Sequence, residues 1–580
     1  MSIKILKCSN PLLLVLINCF FVWDFSCTAA TEINEAPVNK EYLEFISQSQ
    51  DNMMCTAPDN DPDAPSFGLL PTLLSFEHMK GQGNKVIFSN DGSTIEPTNK
   101  NNVIIPLGQT KSEDSNYTAD NVSGNLSFGS TGSTSPKTED NKGKAGKSSA
   151  TNKASSDKFD LREKNRVTKK VKDQGDCGSC WCFATMAALE SNLLGPDGKG
   201  EQYDFSPQHL NKYNNFGYAQ CAGGQHQMAT GYLARWDGPV LESAVPYPFP
   251  YPSPPYSPPP YPEDWTKKPI IQKHVQEILW LPDRKDISDG GAMDNNCIKQ
   301  AIMKYGVLFT GMYYNSTYYN ESNRAYYCPN YTNPNHAVAI VGWDDNYSED
   351  NFNENNKPEG PGAFIMRNSW GEGWGEDGYF YVSYYTTLKY LMAIAGVENT
   401  DNYTKKYEYD TLGMANFVGF MKNKVNLQSA YFASVFTVEG ENRYIYAVSF
   451  YTPAIKCSYE IWVCDNGNLP TKFDDLSANF KGTIECAGYH TIKFDKKYEI
   501  TGKKFSVVVH STSPDPKYPH PIPLQYNRYS YCTASEPCSK EQSYIKGPES
   551  DDQWVDLADT SKAGSFCGAH VCLKAFAKAE

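Results

Sequence analysis

Apolar and polar positions follow different rhythms in successive stretches of this chain. The first is an unbroken apolar run, Pro11-Leu12-Leu13-Leu14-Val15-Leu16-Ile17-Asn18-Cys19-Phe20-Phe21-Val22-Trp23, preceded by Lys4 and Lys7 and followed by Cys27-Thr28-Ala29-Ala30. Tyr42-Leu43-Glu44-Phe45-Ile46 has a modest helical spacing, and an apolar patch surrounds Leu69-Leu70 and Leu73-Leu74. Residues 108–157 are Ser, Thr, Asn, Gly and Lys with almost no aliphatics, too little apolar surface to offset the entropy of ordering. Residues 181–194 lack Gly and Pro and are dense in apolar and Ala positions, which predicts a largely buried helix. The stretch 246–262, Pro-Tyr-Pro-Phe-Pro-Tyr onward, predicts a stiff, extended surface insertion. After about residue 400 the aromatic and β-branched runs 444–451, 459–463 and 505–509 alternate with Gly, Pro, Asn and Asp clusters. That pattern predicts an all-β sandwich or barrel.

At 580 residues the chain is too long for one core. A charged flank, a short apolar stretch and a small-residue exit describe a cleavable signal peptide, because the run falls short of the ~20 residues a membrane-crossing helix needs. Entry to the secretory pathway gives meaning to the 17 cysteines, most of which lie beyond residue 170, since an oxidising compartment favours disulfides. Asn-X-Ser/Thr triplets at Asn116, Asn121, Asn125, Asn315, Asn320, Asn330, Asn346 and Asn402 agree with that route. The net charge of −14 argues against nucleic acid as a partner, which would require a basic face.

The densest chemistry is Gln174-Gly175-Asp176-Cys177-Gly178-Ser179-Cys180-Trp181. A thiol attacks only as thiolate, and a helix N-terminus favours that anion. Cys180 stands where a Gly-containing loop enters the predicted helix. A Cys177/Cys180 redox pair is the competing reading, although there Trp precedes the first Cys. A zinc site lacks a second ligand cluster, and no cofactor is indicated. Further on, Asn335-His336 leads into the apolar run 337–343, and Asn368 lies in Arg367-Asn368-Ser369-Trp370-Gly371, ahead of Gly373-Trp374-Gly375. Few histidines compete, the chain having nine.

Together these motifs resemble the papain family of cysteine peptidases. The resemblance implies Cys180 as nucleophile, His336 as the base that returns its proton to the leaving amine, Asn368 as the group orienting the imidazole, and Gln174 as a donor to the oxyanion. It also implies that Trp370 shields the His–Asn bond and that Cys177 pairs with the cysteine of Cys221-Ala222-Gly223-Gly224. Gly223 and Gly224 would let substrate backbone approach, with Asn335, Trp370 and Trp374 alongside. Cys182 departs from the usual Ala and sets a second thiol near the nucleophile. The short motif 36–39, the stretch 343–347 and the segments 409–413, 447–452, 542–545 and 572–576 look similar to the branch of the family that carries a C-terminal lectin-like domain.

The expectation is therefore an α+β chain: a two-lobed papain-like peptidase domain followed by an all-β, sandwich-like domain. The boundaries are a signal peptide at 1–30, a prosegment at 31–107, a linker at 108–157, the peptidase domain at 158–400 and the lectin-like domain at 401–580. The function expected is peptide-bond hydrolysis through a thioester by a protein made as a precursor. A silent binding protein and a thiol–disulfide oxidoreductase are the alternatives. Partners would be protein or peptide substrates, with a glycan or a protein as ligand of the C-terminal domain, and neither nucleic acid nor a transmembrane anchor. The destination would be extracellular or a lysosome-like vesicle. The C-terminal domain has seven cysteines, an odd number, and Cys297 with Cys328 is a candidate pair.

Overall fold

A computed structural model describes residues 31–48, 67–86, 88, 156–248, 269–330, 333–473, 476–528, 531–532 and 536–580. The expected signal peptide, nearly all of the linker and most of the Pro-Tyr insertion lie outside the described residues. So do the sequons at Asn116, Asn121 and Asn125.

The buried helix runs Cys180–Leu193 (here α2, after α1 at Lys40–Gln48). It is apolar on nearly every side, so it can only be stable with protein packed all around it. It begins after Ser179 and stops ahead of Gly195, whose φ of +71° suits a residue without Cβ. Helix α3 (Pro207–Tyr213) starts on Ser206, whose side chain accepts from His209 N, with Pro207 in its first turn. Helix α4 (His226–Ala234) and α2 form the helical lobe.

The second lobe is built on antiparallel strands Leu308–Met312, His336–Asp344, Ala363–Arg367 and Tyr379–Ser383. Helix α2 packs against the strand that begins at His336. The sheet does not end with this lobe. Leu388–Glu398 pairs with His274–Trp280, and His274–Trp280 pairs in turn with Ala487–Glu499, placing Ala487 opposite Trp280 and His490 opposite Glu277. Through Tyr444–Thr452 and Leu573–Lys578 the same sheet continues to Lys405–Tyr407. A six-stranded antiparallel sheet that includes Ser429–Thr437, Cys457–Asp465 and Lys504–Thr512 forms the other layer of the C-terminal region. The three strands expected from the aromatic runs are therefore present, and one hydrophobic core joins both regions.

The N-terminal segment belongs to both. Strand Glu32–Glu35 pairs antiparallel with Asn416–Lys422. Glu35 bonds Arg528 (3.0 Å) and accepts from Asn416 Nδ2 (2.8 Å). Tyr42, Leu70, Leu73 and Leu74 are buried, and each such side chain contributes about 1.5–3 kcal/mol on leaving water. Cys177 and Cys221 form a disulfide. Cys297 and Cys328 are not joined: Cys297 faces Gly83, while Cys328 lies by Thr386.

All nine histidines are at least partly buried, and burial lowers the pKa of His209, His274 and His520 to about 4 and of His226 to about 3. His78 is lowered as well; it stacks on Tyr518 of the C-terminal region at 4.1 Å. These rings are neutral when folded and take up protons near pH ~6.5 when unfolded. Their share of stability is complete above that pH and is lost as pH falls toward 4. Thermal unfolding followed by circular dichroism is expected to show a midpoint that drops progressively from pH 7 to 4. A flat profile would contradict this placement.

Candidate active site

The site forms where the N-terminus of α2 meets the first residue of the strand His336–Asp344. Cys180 Sγ accepts from the N–H of Ala337 at 3.3 Å, the residue next to His336. His336 is fully buried, and its Nε2 is 2.8 Å from Asn368 Oδ1. Because Oδ1 only accepts, Nε2 carries the proton and Nδ1, which has no hydrogen-bond partner among the described residues, is left as the basic nitrogen. Burial lowers the His336 pKa to about 4, opposed by the Asn368 bond. The imidazole is therefore neutral while the site is covered.

Asn368 is held in turn: its N–H donates to Gly378 O, and its Oδ1 also accepts from Ser369 N. Trp370 stacks on His336 (4.8 Å, 22°) and is itself braced edge-on by Tyr314 and Trp374. Trp374 packs on Tyr319 and Phe380, behind Trp370. Gln174 is buried; its Nε2 donates to Cys177 O (2.9 Å), and its Oε1 accepts from Ser369 Oγ (2.6 Å). Burial holds the Cys182 thiol well above its usual pKa, so this neighbour stays protonated.

Residues 67–70 lie across these groups. Phe67 packs on His336 (5.5 Å) and Trp370 (6.1 Å). Gly68 crosses the loop before Cys180 so closely that a Cβ there would sit 2.1 Å from the Gly178 carbonyl carbon. Leu69 N donates to Asn335 O (3.1 Å), Gly224 N donates to Gly68 O (2.9 Å), and Leu70 N donates to Gly224 O (2.9 Å). Leu69 and Gly224 form a parallel bridge. The Asn335 side chain is occupied by the Tyr314 backbone, so this residue meets the segment through its carbonyl. Gly223, at φ +95°, faces Leu70, and beneath Gly224 lies Trp181, whose ring a Cβ would meet at 2.2 Å.

Thus Cys180, His336, Asn368, Gln174 and Trp370 converge. Gly223, Gly224 and Asn335 line the adjoining groove, and Trp374 stands one layer back. Sequence reasoning missed the occupant of the groove. Its signal was the Leu69-Leu70 patch preceded by glycine, which has no internal partner of its own.

Residues 155–400 match the model of the papain family cysteine proteases, and residues 406–577 match that of the lectin like domain. The chain joins a papain-family domain to a lectin-like domain. The papain-family domain is similar to cathepsin K of Mus musculus, 28% identical over 226 residues that are 38% of this chain and 58% of the relative. It is also similar to the cysteine protease Amb a 11.0101 of Ambrosia artemisiifolia, 29% identical over 39% of this chain and 50% of the relative. The chain spans about half the length of the curated relatives it matches. The clostridial cysteine protease Cwp84 after propeptide cleavage is 27% identical at a TM-score of 0.61, with 73% of this chain and 99% of that one covered. The protease and lectin-like domains of Cwp84 from Clostridium difficile share the fold over 94% of this chain and 98% of that one, at 22% identity and a TM-score of 0.66.

Gly224→Ala is expected to force Trp181 from its place. Overpacking of this kind costs about 1–3 kcal/mol, so urea unfolding of the variant should begin at lower denaturant. An unchanged midpoint would mean that the ring has room to move.

Proposed function

We propose that this papain-family domain is a cysteine peptidase that cleaves peptide bonds through a thioester on Cys180, and that residues 31–107 keep it silent as a precursor. The observation carrying this reading is the hydrogen-bonded set His336–Asn368 beside Cys180, at the head of a groove that already holds a peptide backbone. In the reaction Cys180 Sγ attacks the carbonyl carbon, and His336 holds the thiol proton and passes it to the departing amine. The tetrahedral oxyanion accepts hydrogen bonds from the Gln174 side-chain amide and the Cys180 N–H. Water then cleaves the thioester.

The same contacts support silence before cleavage. Phe67 removes water from His336, which disfavours its charged form, and Gly68 occupies the space above the nucleophile loop. The segment's backbone pairs parallel to Gly224, so no residue of it needs to present its carbonyl to Cys180. Cleavage between about residues 145 and 158 would let the segment depart. The C-terminal domain serves here as its anchor, because Glu32–Glu35 is a strand of that domain's sheet. Passage through the secretory pathway to the outside or to a lysosome-like vesicle fits the N-terminal apolar run and the exposed sequon at Asn346. Asn402 is a poorer glycan acceptor, since its Nδ2 donates to Glu398 and its Oδ1 meets His274.

The test is hydrolysis of a pooled fluorogenic peptide library by the linker-cut chain under reducing conditions. Cys180→Ala is expected to abolish turnover. Gln174→Ala should lower kcat by about 100- to 1,000-fold with little change in KM, as for other oxyanion donors. A folded, processed protein that cleaves nothing would leave the silent binding reading in its place.

A further inference from the structure

Leu69 lies over a row of three residues drawn from adjacent strands. Gly311 is the cross-strand partner of Ala337 on one side and of Lys389 on the other, and residues directly opposite in an antiparallel pair project from the same face. That face is the groove: a Cβ on Gly311 would lie 2.5 Å from Leu69 Cδ2, and 3.2 Å from both Pro334 Cβ and Tyr390 Cδ2. Gly311 therefore leaves a pocket, one strand spacing deep toward Lys389, which the Leu69 side chain enters.

The strand beyond Gly311 brings a charge beside that pocket. Lys389 is 5% exposed, and its Nζ lies 2.5 Å from Glu41 Oε1. The hydroxyl of Tyr390, whose ring lines the pocket, donates to the other carboxylate oxygen of Glu41 at 2.9 Å. Glu41 belongs to α1 of the N-terminal segment, so the carboxylate is carried by the same piece of chain as the leucine. Asp283 is a further acid near this site: its Oδ1 accepts from Tyr390 N (3.1 Å), and burial pushes its carboxyl up to about 7, opposed by Lys389. A buried ammonium deprived of a carboxylate is costly, and a ligand that restores one gains what the first carboxylate supplied.

We propose that Lys389, with the Tyr390 hydroxyl, makes this pocket select acidic side chains. Peptides carrying glutamate just before the residue whose carbonyl Cys180 attacks are the preferred ligands. In the precursor, Leu69 and Glu41 divide between them what one glutamate side chain does alone, the leucine filling the apolar mouth and Glu41 the charged end. Glutamate suits the depth better than aspartate, since the Lys389 row lies about 4.8 Å beyond that of Gly311.

This inference rests on the proposal that the N-terminal segment leaves the groove, and its test reads binding and turnover separately. The linker-cut full chain, freed of the segment and shown folded by circular dichroism, is given peptides that differ only in Glu, Gln or Leu at that position. Hydrolysis is measured with the native protein, and fluorescence anisotropy with Cys180→Ala. Glu is expected to exceed Gln by about 10- to 100-fold in kcat/KM and in affinity, the range for a hydrogen bond to a charged group. Lys389→Met should bring that ratio to about one while retaining the Leu peptide. Glu favoured in binding with no hydrolysis of any peptide would sink the peptidase reading and leave this inference standing. Leu and Gln peptides bound and cleaved in preference to Glu by the native chain would overturn the inference and leave the peptidase in place.

Discussion

A peptide backbone can lie against Cys180 only because three glycines remove the side chains that would keep it away. Gly178 lies two residues before Cys180, Gly224 leaves room for Trp181 beneath it, and Gly223 takes a φ of +95°. The disulfide Cys177–Cys221 and the bridge between Gly178 and Ala222 tie the two walls of this slot together. The helix start, the aromatic cover over His336–Asn368 and the reach of Gln174 are all set relative to that slot. Adding one methyl group to it at Gly224 would displace the Trp181 ring, which belongs to the first turn of α2.

The two domains are separate modules in sequence and one object in structure. Ala487–Glu499 continues the sheet of the papain-family domain through His274–Trp280, so neither edge is left to face water. On the opposite flank, Glu32–Glu35 is held by Asn416–Lys422 and by the side chains of Arg528 and Asn416. The segment that fills the groove is thereby fixed at one end by the lectin-like domain.

Much of the site was legible in the sequence because its chemistry is local. Gln174 through Trp181 form one continuous run, and His336 and Asn368 each sit in a short glycine- and tryptophan-rich motif. What the sequence hid depends on residues far apart in the chain. Leu69-Leu70 stood out as an apolar patch, but its partners Gly224, Gly311 and Asn335 lie well over a hundred residues away. Lys389 looks like an ordinary strand lysine until its register sets it opposite Gly311. Cys297 and Cys328 are a candidate pair in the sequence, whereas helix α5 (Asn296–Tyr305) turns Cys297 toward the N-terminal segment. The helix 180–193 was plain from its lack of Gly and Pro, because an all-apolar helix announces its own burial.

The central claim is that Cys180 is an activated nucleophile that the N-terminal segment covers. Its most direct measurement is the rate at which a thiol-directed epoxide labels Cys180, followed by peptide mass mapping, in the intact chain and in the chain cut in its linker and freed of residues 31–107. The account predicts slow labelling of the intact chain and rapid labelling of Cys180 in the freed chain, with Cys182 untouched in both. Equal rates in the two forms, or label on Cys182 in place of Cys180, would contradict it.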